Sequence, residues 1–308
     1  MHPITIRMAG YGPPDTGFSR ALERIGERVT RRFGDQVDVN YVWNIMDFGY
    51  RAEDILWLVE SGVLTLGYQS SSYLTDRVAA LGFVDLPFLF HSNSQARAAM
   101  DGVLGELLVK AIEERTGHRI LGWFENGFRH ISNRLRTVRR PADLAGMRIR
   151  VLPSEIQKRT FALLGATPMR MDLTEAIRMI AAGELDAQEN PLANTVVYGV
   201  HKFHHFHTLT SHFYISRPIF VNRAQFDAWP MELQDEMRAA VADAVIVQRG
   251  LAIEEHETAR QAILAQGCEI IELDPDEHRE FVAAVSPMYA EARNTYGVHM
   301  FDLAGVTP

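Results

Sequence analysis

The first 90 residues alternate strand and helix signals, and that alternation restricts the fold more than any other feature. Ile4–Met8 is a short apolar-rich strand, followed by the turn-like GYGPPDTG. Phe18, Leu22, Ile25 and Val29 then recur at spacings of three and four, which predicts one apolar helix face. Gly34-Asp35 closes that helix, and Val37, Val39 and Tyr41 alternate as a strand. Ala52–Glu60 reads as a second helix, and Val63–Gly67 as a buried strand. A β-α-β-α-β order of this kind implies a parallel sheet covered by helices.

The middle of the chain repeats the pattern. DLPFLF (Asp85–Phe90) precedes a helix through Ala96–Glu114, and strands are expected at Ile120–Glu125 and Phe128–Ser132. MRIRVLP is a further strand, followed by a helix (Glu155–Leu164), a strand (Thr167–Met171), a helix (Thr174–Ala182) and the strand containing Asp186. The last third differs. Helical spacing runs from Met231 to about Gln266, which predicts a helix on the order of 50 Å long, wider than one small domain.

Composition excludes several classes. The 308 residues allow two domains. A net charge of −8, with both signs interspersed, argues against nucleic acid and anionic membranes as partners. One cysteine, Cys268, excludes an intrachain disulfide and any CxxC motif. No segment approaches the roughly 18 apolar residues of a membrane helix, and the N-terminus MHPITIRMAGYG reads as an opening strand, not a signal peptide.

Chemistry collects at strand ends in open α/β sheets. Gly10–Thr16 looks like a nucleotide turn, but Asp15 takes the third glycine position and Pro13-Pro14 remove two N–H donors. It is read as a turn whose tip, with Tyr11, touches a ligand. YQSSSY (Tyr68, Gln69, Ser70, Ser71, Ser72, Tyr73) offers amide and hydroxyl groups between two tyrosines; a serine helix cap is an equal reading. In GELDAQENPL, Asn190 is the expected cap of a helix begun by Pro191, while Gln188 and Glu189 should face opposite ways.

MRIRVLP sets Arg150 in an apolar run, where an unpaired guanidinium is costly and a ligand carboxylate would satisfy its planar fork. HKFHHFHTLTSH holds His201, His204, His205, His207 and His212; polar surface or interface histidines are favoured over zinc, since no cysteine or HExxH accompanies them. No GxSxG, P-loop or nucleophilic cysteine motif occurs, so no catalytic residue is assigned.

AGMRIRVLPSEI, LGATPMRMDLTEAI, GELDAQENPLANT and LTSHFY, in this order, resemble the solute-binding proteins of TRAP transporters, the DctP family. DLPFLF and LVESGVLTLGY add to the resemblance, which covers most of the chain. It implies a two-lobe periplasmic-binding-protein-like α/β fold, each lobe a mostly parallel sheet flanked by helices, with crossing strands and a long helix spanning both lobes. Lobe I is expected at 1–126 plus 215–250, lobe II at 127–214 plus 251–308.

The resemblance further implies that Arg150 bridges to a carboxylate in an interlobe cleft, with Asn190 and Arg129 beside it. Tyr68, Gln69, Ser70, Tyr73, Tyr11, Leu173 and His212 complete the candidate ligand set, with no metal and no cofactor. The ligand would be a small organic acid: an aromatic or branched 2-oxo or 2-hydroxy acid suggested by the tyrosines, or a sugar acid suggested by Gln69 and the serines. A monomer delivering it to the membrane subunits of a sodium-coupled TRAP transporter, periplasmic after removal of a leader, is the expected role.

Departures from the family pattern are Ala187 in place of glycine, Arg170 in place of a small residue, and Leu173 and Ile177 in place of aromatic residues. Two other readings stand beside this one: a cytosolic two-lobe α/β enzyme acting on a similar acid, and a zinc protein using the histidines.

Overall fold

A computed structural model describes residues 2–306. In chain order it begins β1 (Ile4–Ala9), α1 (Gly17–Phe33), β2 (Val37–Val42), α2 (Ile55–Glu60) and β3 (Leu66–Tyr68). Next come α3 (Asn93–Asp101), α4 (Val103–Arg115), β4 (His118–Asn133), β5 (Arg148–Val151) and α5 (Glu155–Leu163). The middle closes with β6 (Thr167–Arg170), α6 (Leu173–Ala181), β7 (Ala187–Asn190) and α7 (Leu192–Val197). The chain continues through β8 (Phe206–Asn222), α8 (Arg223–Asp227), α9 (Met231–Ala265) and β9 (Glu269–Glu272). It finishes with α10 (Pro275–Val285), α11 (Pro287–Tyr296) and α12 (Val298–Leu303). No helix among the described residues is long and apolar enough to cross a membrane.

Two compact units result. The first comprises Met1–Ser71, Val109–Glu125 and Ser216–Glu254; the second comprises Ser72–Leu108, Asn126–Ile215 and Glu255–Pro308. Strands β4 and β8 and helix α9 therefore each contain residues of both units. The sequence reading had placed 72–108 with the first lobe. These residues instead pack in the second unit: Phe83 sets its ring edge-on to Tyr296 and Phe301, Tyr289 Oη donates to Pro87 O at 2.7 Å, and Phe88 N donates to His212 O at 2.8 Å. The apolar partners of this segment lie some 200 residues further along, beyond the reach of local periodicity.

In the first unit β1 is flanked in parallel by β2, from Ile4↔Val37 to Ala9↔Val42, and by β3 through Met8↔Leu66. β8 joins antiparallel to β3. Phe18, Leu22, Ile25 and Val29 of α1 are buried as their spacing predicted. Thr16 caps that helix through Ser19 N, and Gly34 ends it at φ 52.

In the second unit β5 lies between β6 and β7, parallel to both, and β4 runs antiparallel to β7. Ile131, Ile149, Val151, Ala187, Phe161 and Phe281 belong to its apolar core. Three sequence expectations need correction here. The single helix through Ala96–Glu114 is two helices separated at Gly102, and the two strands expected between 120 and 132 are one, β4. His204, His207 and His212 are buried, not at the surface: His207 and His212 lie within β8, and the His204 ring meets Ser132 of β4 at 3.0 Å.

Candidate functional site

Arg150 lies on β5, whose burial rises from an exposed Arg148 to a buried Val151. Arg148 is neutralised by Asp186, which receives its Nε at 3.0 Å and its backbone N at 3.0 Å. Hydrogen bonds from Arg148 pull the Asp186 carboxyl down to about 2, against the upward push of burial. Arg150, only 2% exposed, has no such acid. Its Nε donates to Met171 O at 3.2 Å and its Nη2 to Tyr73 Oη at 2.9 Å, and it pairs with no carboxylate among the described residues. A guanidinium has five N–H donors and keeps its charge, so burial without an anion leaves a standing cost that a ligand carboxylate would remove.

The strands around Arg150 decide which side chains accompany it. Arg150 is the register partner of Gln188 in β7, and Asn190 follows on the same face two residues later. Glu189 points the other way, as the sequence indicated. Asn190 is not a helix cap: it ends β7, α7 starts after Pro191 without a side-chain cap bond, and Asn190 Nδ2 donates to Gln188 Oε1 at 3.4 Å. Tyr73 Oη also accepts Leu173 N at 3.2 Å, so one hydroxyl holds both the guanidinium and the first turn of α6. Leu173 contributes a backbone group here, with its residue 5% exposed.

Arg129 and His212 are organised elsewhere. Arg129 grips Glu189 with Nε and Nη2, and Nη2 also donates to Glu189 O at 2.7 Å. His212 Nε2 lies 3.5 Å from the same carboxylate, and its Nδ1 lies 2.6 Å from Thr210 Oγ1. Burial raises the Glu189 carboxyl, but the Arg129 charge and the His212 and Arg129 hydrogen bonds outweigh it, so its pKa falls below the usual range. This trio shares the strand face of Ile131 and Ala187, the core side of the sheet. The structure thus brings Arg150, Tyr73, Leu173 and Asn190 into one neighbourhood and Arg129 with His212 into another.

The first unit holds the remaining candidates. Gln69 Nε2 donates to Ala52 O at 2.8 Å, and its Oε1 accepts Ser70 N at 2.9 Å, so both ends of the amide bond to backbone groups. Tyr68 stacks on Phe18 at 5.1 Å, tilts against Tyr11 at 5.3 Å and meets Phe124 edge-on at 5.7 Å. Arg217, a residue the sequence reading passed over, places its guanidinium 4.1 Å from the Phe18 ring centroid, 5.0 Å from Tyr11 and 5.6 Å from Tyr68. The tyrosine faces are therefore engaged by protein groups. YQSSSY is divided by the fold, with Tyr68 to Ser71 in the first unit and Ser72-Tyr73 in the second.

Also missed were Asn126 and Asn194, which join Asn190 through amide hydrogen bonds. The signal was the polar pair Glu125-Asn126 directly after the apolar run Ile120–Phe124. No group of three or more His, Cys, Asp or Glu suited to a metal ion occurs among the described residues.

The family described as DctP, bacterial extracellular solute-binding protein, family 7, matches residues 13–295. The chain belongs to this family. DctP proteins serve transport as solute binders and are not enzymes, which sets aside the enzyme reading. A solute-binding protein of Verminephrobacter eiseniae is 28% identical over 90% of this chain and 81% of its own length. The DctP fold is shared with a TRAP periplasmic solute-binding protein from Sulfitobacter sp. NAS-14.1 with bound β-D-galacturonate. That structure is 25% identical, with a TM-score of 0.89 over 97% of this chain and 98% of the other. A counterpart from Polaromonas sp. JS666 bound to D-erythronate gives 0.92 at 22% identity, with 99% of each chain covered.

Proposed function

We propose that this protein captures a small hydroxylated organic acid through a salt bridge between Arg150 and the ligand carboxylate, and hands it to the membrane subunits of a sodium-coupled TRAP transporter. The observation that carries the reading is Arg150 itself: a guanidinium 2% exposed, held by Tyr73 and the Met171 carbonyl, with no acid paired to it among the described residues. Tyr73 and Met171 O fix the plane of the fork, so a carboxylate can meet it with two parallel hydrogen bonds. Asn190, on the same sheet face, adds a neutral amide.

Between the acids considered, the site supports a sugar acid over an aromatic or branched one. Tyr11, Tyr68, Tyr73 and Trp43 were the grounds for an aromatic guest; Tyr11 and Tyr68 pack against Phe18, Arg217 and each other, and Trp43 stacks on Tyr41. The solved relatives from Polaromonas and Sulfitobacter hold D-erythronate and β-D-galacturonate, both hydroxylated carboxylates. A periplasmic monomer completes the proposal.

A thermal-shift screen over hydroxylated, aromatic and branched acids tests it. An acid present at about 1,000 times its Kd should stabilise the protein by about 4 kcal/mol. Arg150→Gln should abolish that rise in Tm. A variant that keeps the wild-type response would refute the salt bridge.

A further inference from the structure

Asn126 sits on β4 in the second unit, immediately before Gly127, whose φ of 82 interrupts the regular strand geometry. Its Oδ1 accepts Asn194 Nδ2 at 3.0 Å, and the same nitrogen reaches Asn190 Oδ1 at 3.3 Å. Asn190 Nδ2 donates to Gln188 Oε1 at 3.4 Å, and Gln188 Nε2 to Thr195 Oγ1 at 3.3 Å. All five side chains are buried. Because Asn194 donates to it, Asn126 must turn its oxygen toward Asn194 and its nitrogen away.

That nitrogen is the open end of the chain. Asn126 Nδ2 is buried, and no protein acceptor reaches it. An amide nitrogen carries two N–H donors, and a buried donor left unmet bears its whole desolvation cost. The other end of the chain is tied to Gln188, the register partner of Arg150. A donor held this firmly, in a network that includes Asn190, is suited to reading a ligand oxygen.

We propose that Asn126 Nδ2 hydrogen-bonds a hydroxyl or carbonyl oxygen of the acid whose carboxylate Arg150 holds, and so makes the site selective for oxygen-bearing carbon chains. The proposal rests on the Arg150 reading above. The bidentate fork of Arg150 takes both carboxylate oxygens, so the acceptor left for Asn126 is on the carbon chain. A site with a buried donor rejects an analogue lacking the matching oxygen far more strongly than an apolar pocket rejects a changed hydrocarbon.

Calorimetric titration with D-erythronate and with butyrate, four-carbon acids that differ in their hydroxyls, tests the idea on the full chain. The unaltered protein should bind D-erythronate at least about 100-fold more tightly than butyrate. Equal affinities, or binding of neither acid, overturn the inference. Asn126→Leu should weaken D-erythronate about 10- to 100-fold and leave butyrate unchanged. No change, or an equal loss for both acids, overturns it as well.

Asn126→Asp, of the same size and still an acceptor for Asn194, covers a failure of the leucine variant to fold. Its charge repels both acids alike, so the ratio of the two affinities reports the lost donor. Arg150→Gln separates the two claims. If it leaves both acids bound as before, the carboxylate site itself is wrong; if it removes both while Asn126→Leu changes neither, only the present inference fails.

Discussion

At the scale of single residues, two arginines of similar burial have opposite circumstances. Arg150 is 2% exposed without an acid and Arg129 is 1% exposed with one. The first was legible because RIRV sets a charge inside an apolar strand. The second was not, since Glu189 lies 60 residues away and only the register of β4 against β7 puts it on Arg129's face. The packing of Arg217 on Tyr11 and Tyr68 was hidden for a related reason, since Arg217 is remote from both in sequence. The Arg129–Glu189 pair makes a prediction of its own. Removing one member of a buried pair strands the other charge, at about 3–5 kcal/mol, whereas removing both is far cheaper. Glu189→Leu should lower the free energy of urea unfolding by that amount, and Arg129→Met with Glu189→Leu should recover most of it. A double variant as unstable as the sum of the two singles would show that the pair does not act as a unit.

At the scale of elements, periodicity found what repeats locally and missed what one residue interrupts. The buried face of α1 and the 35-residue run of α9 were both readable from spacing. The break between α3 and α4 was not, because glycines such as Gly102 and Gly105 are tolerated inside a helical pattern. The joint between the two helices is tightly packed. A Cβ on Gly105 would stand 1.8 Å from Met100 O and 2.7 Å from its carbonyl carbon, both backbone atoms that cannot swing aside. Glycine to alanine inside a helix ordinarily gains up to about 1 kcal/mol. Gly105→Ala should do the reverse, destabilising by roughly 1–3 kcal/mol as other overpacked sites do. A urea midpoint at or above the parent value would mean that the joint yields to the methyl group.

At the scale of the whole molecule, buried histidines couple the fold to pH. Burial holds His204 down at about 3, helped by the charges of His207 and Arg134, and holds His207 at about 4. His130 and His212 are lowered too, again chiefly by burial. A histidine that takes up protons only in the unfolded chain favours unfolding below its ordinary value near 6.5, so stability is lost as pH falls from there toward the folded value. Asp85 opposes this. Burial raises its carboxyl to about 6, so the folded state binds the extra proton between about 6 and the ordinary value of 3.8. Each unmatched proton is worth about 1.4 kcal/mol per pH unit. From pH 6 to 4, His204 and His207 contribute two such protons and Asp85 removes one, which leaves a loss of about 1.4 kcal/mol per unit, steepened by His130 and His212. Asp186, at about 2, joins only below 3.8, where its ion pair with Arg148 is protonated away. Urea unfolding at pH 6, 5 and 4 should therefore give steadily falling free energies. A flat or rising profile would mean that these imidazoles are charged in the folded chain, against the desolvation cost of their burial.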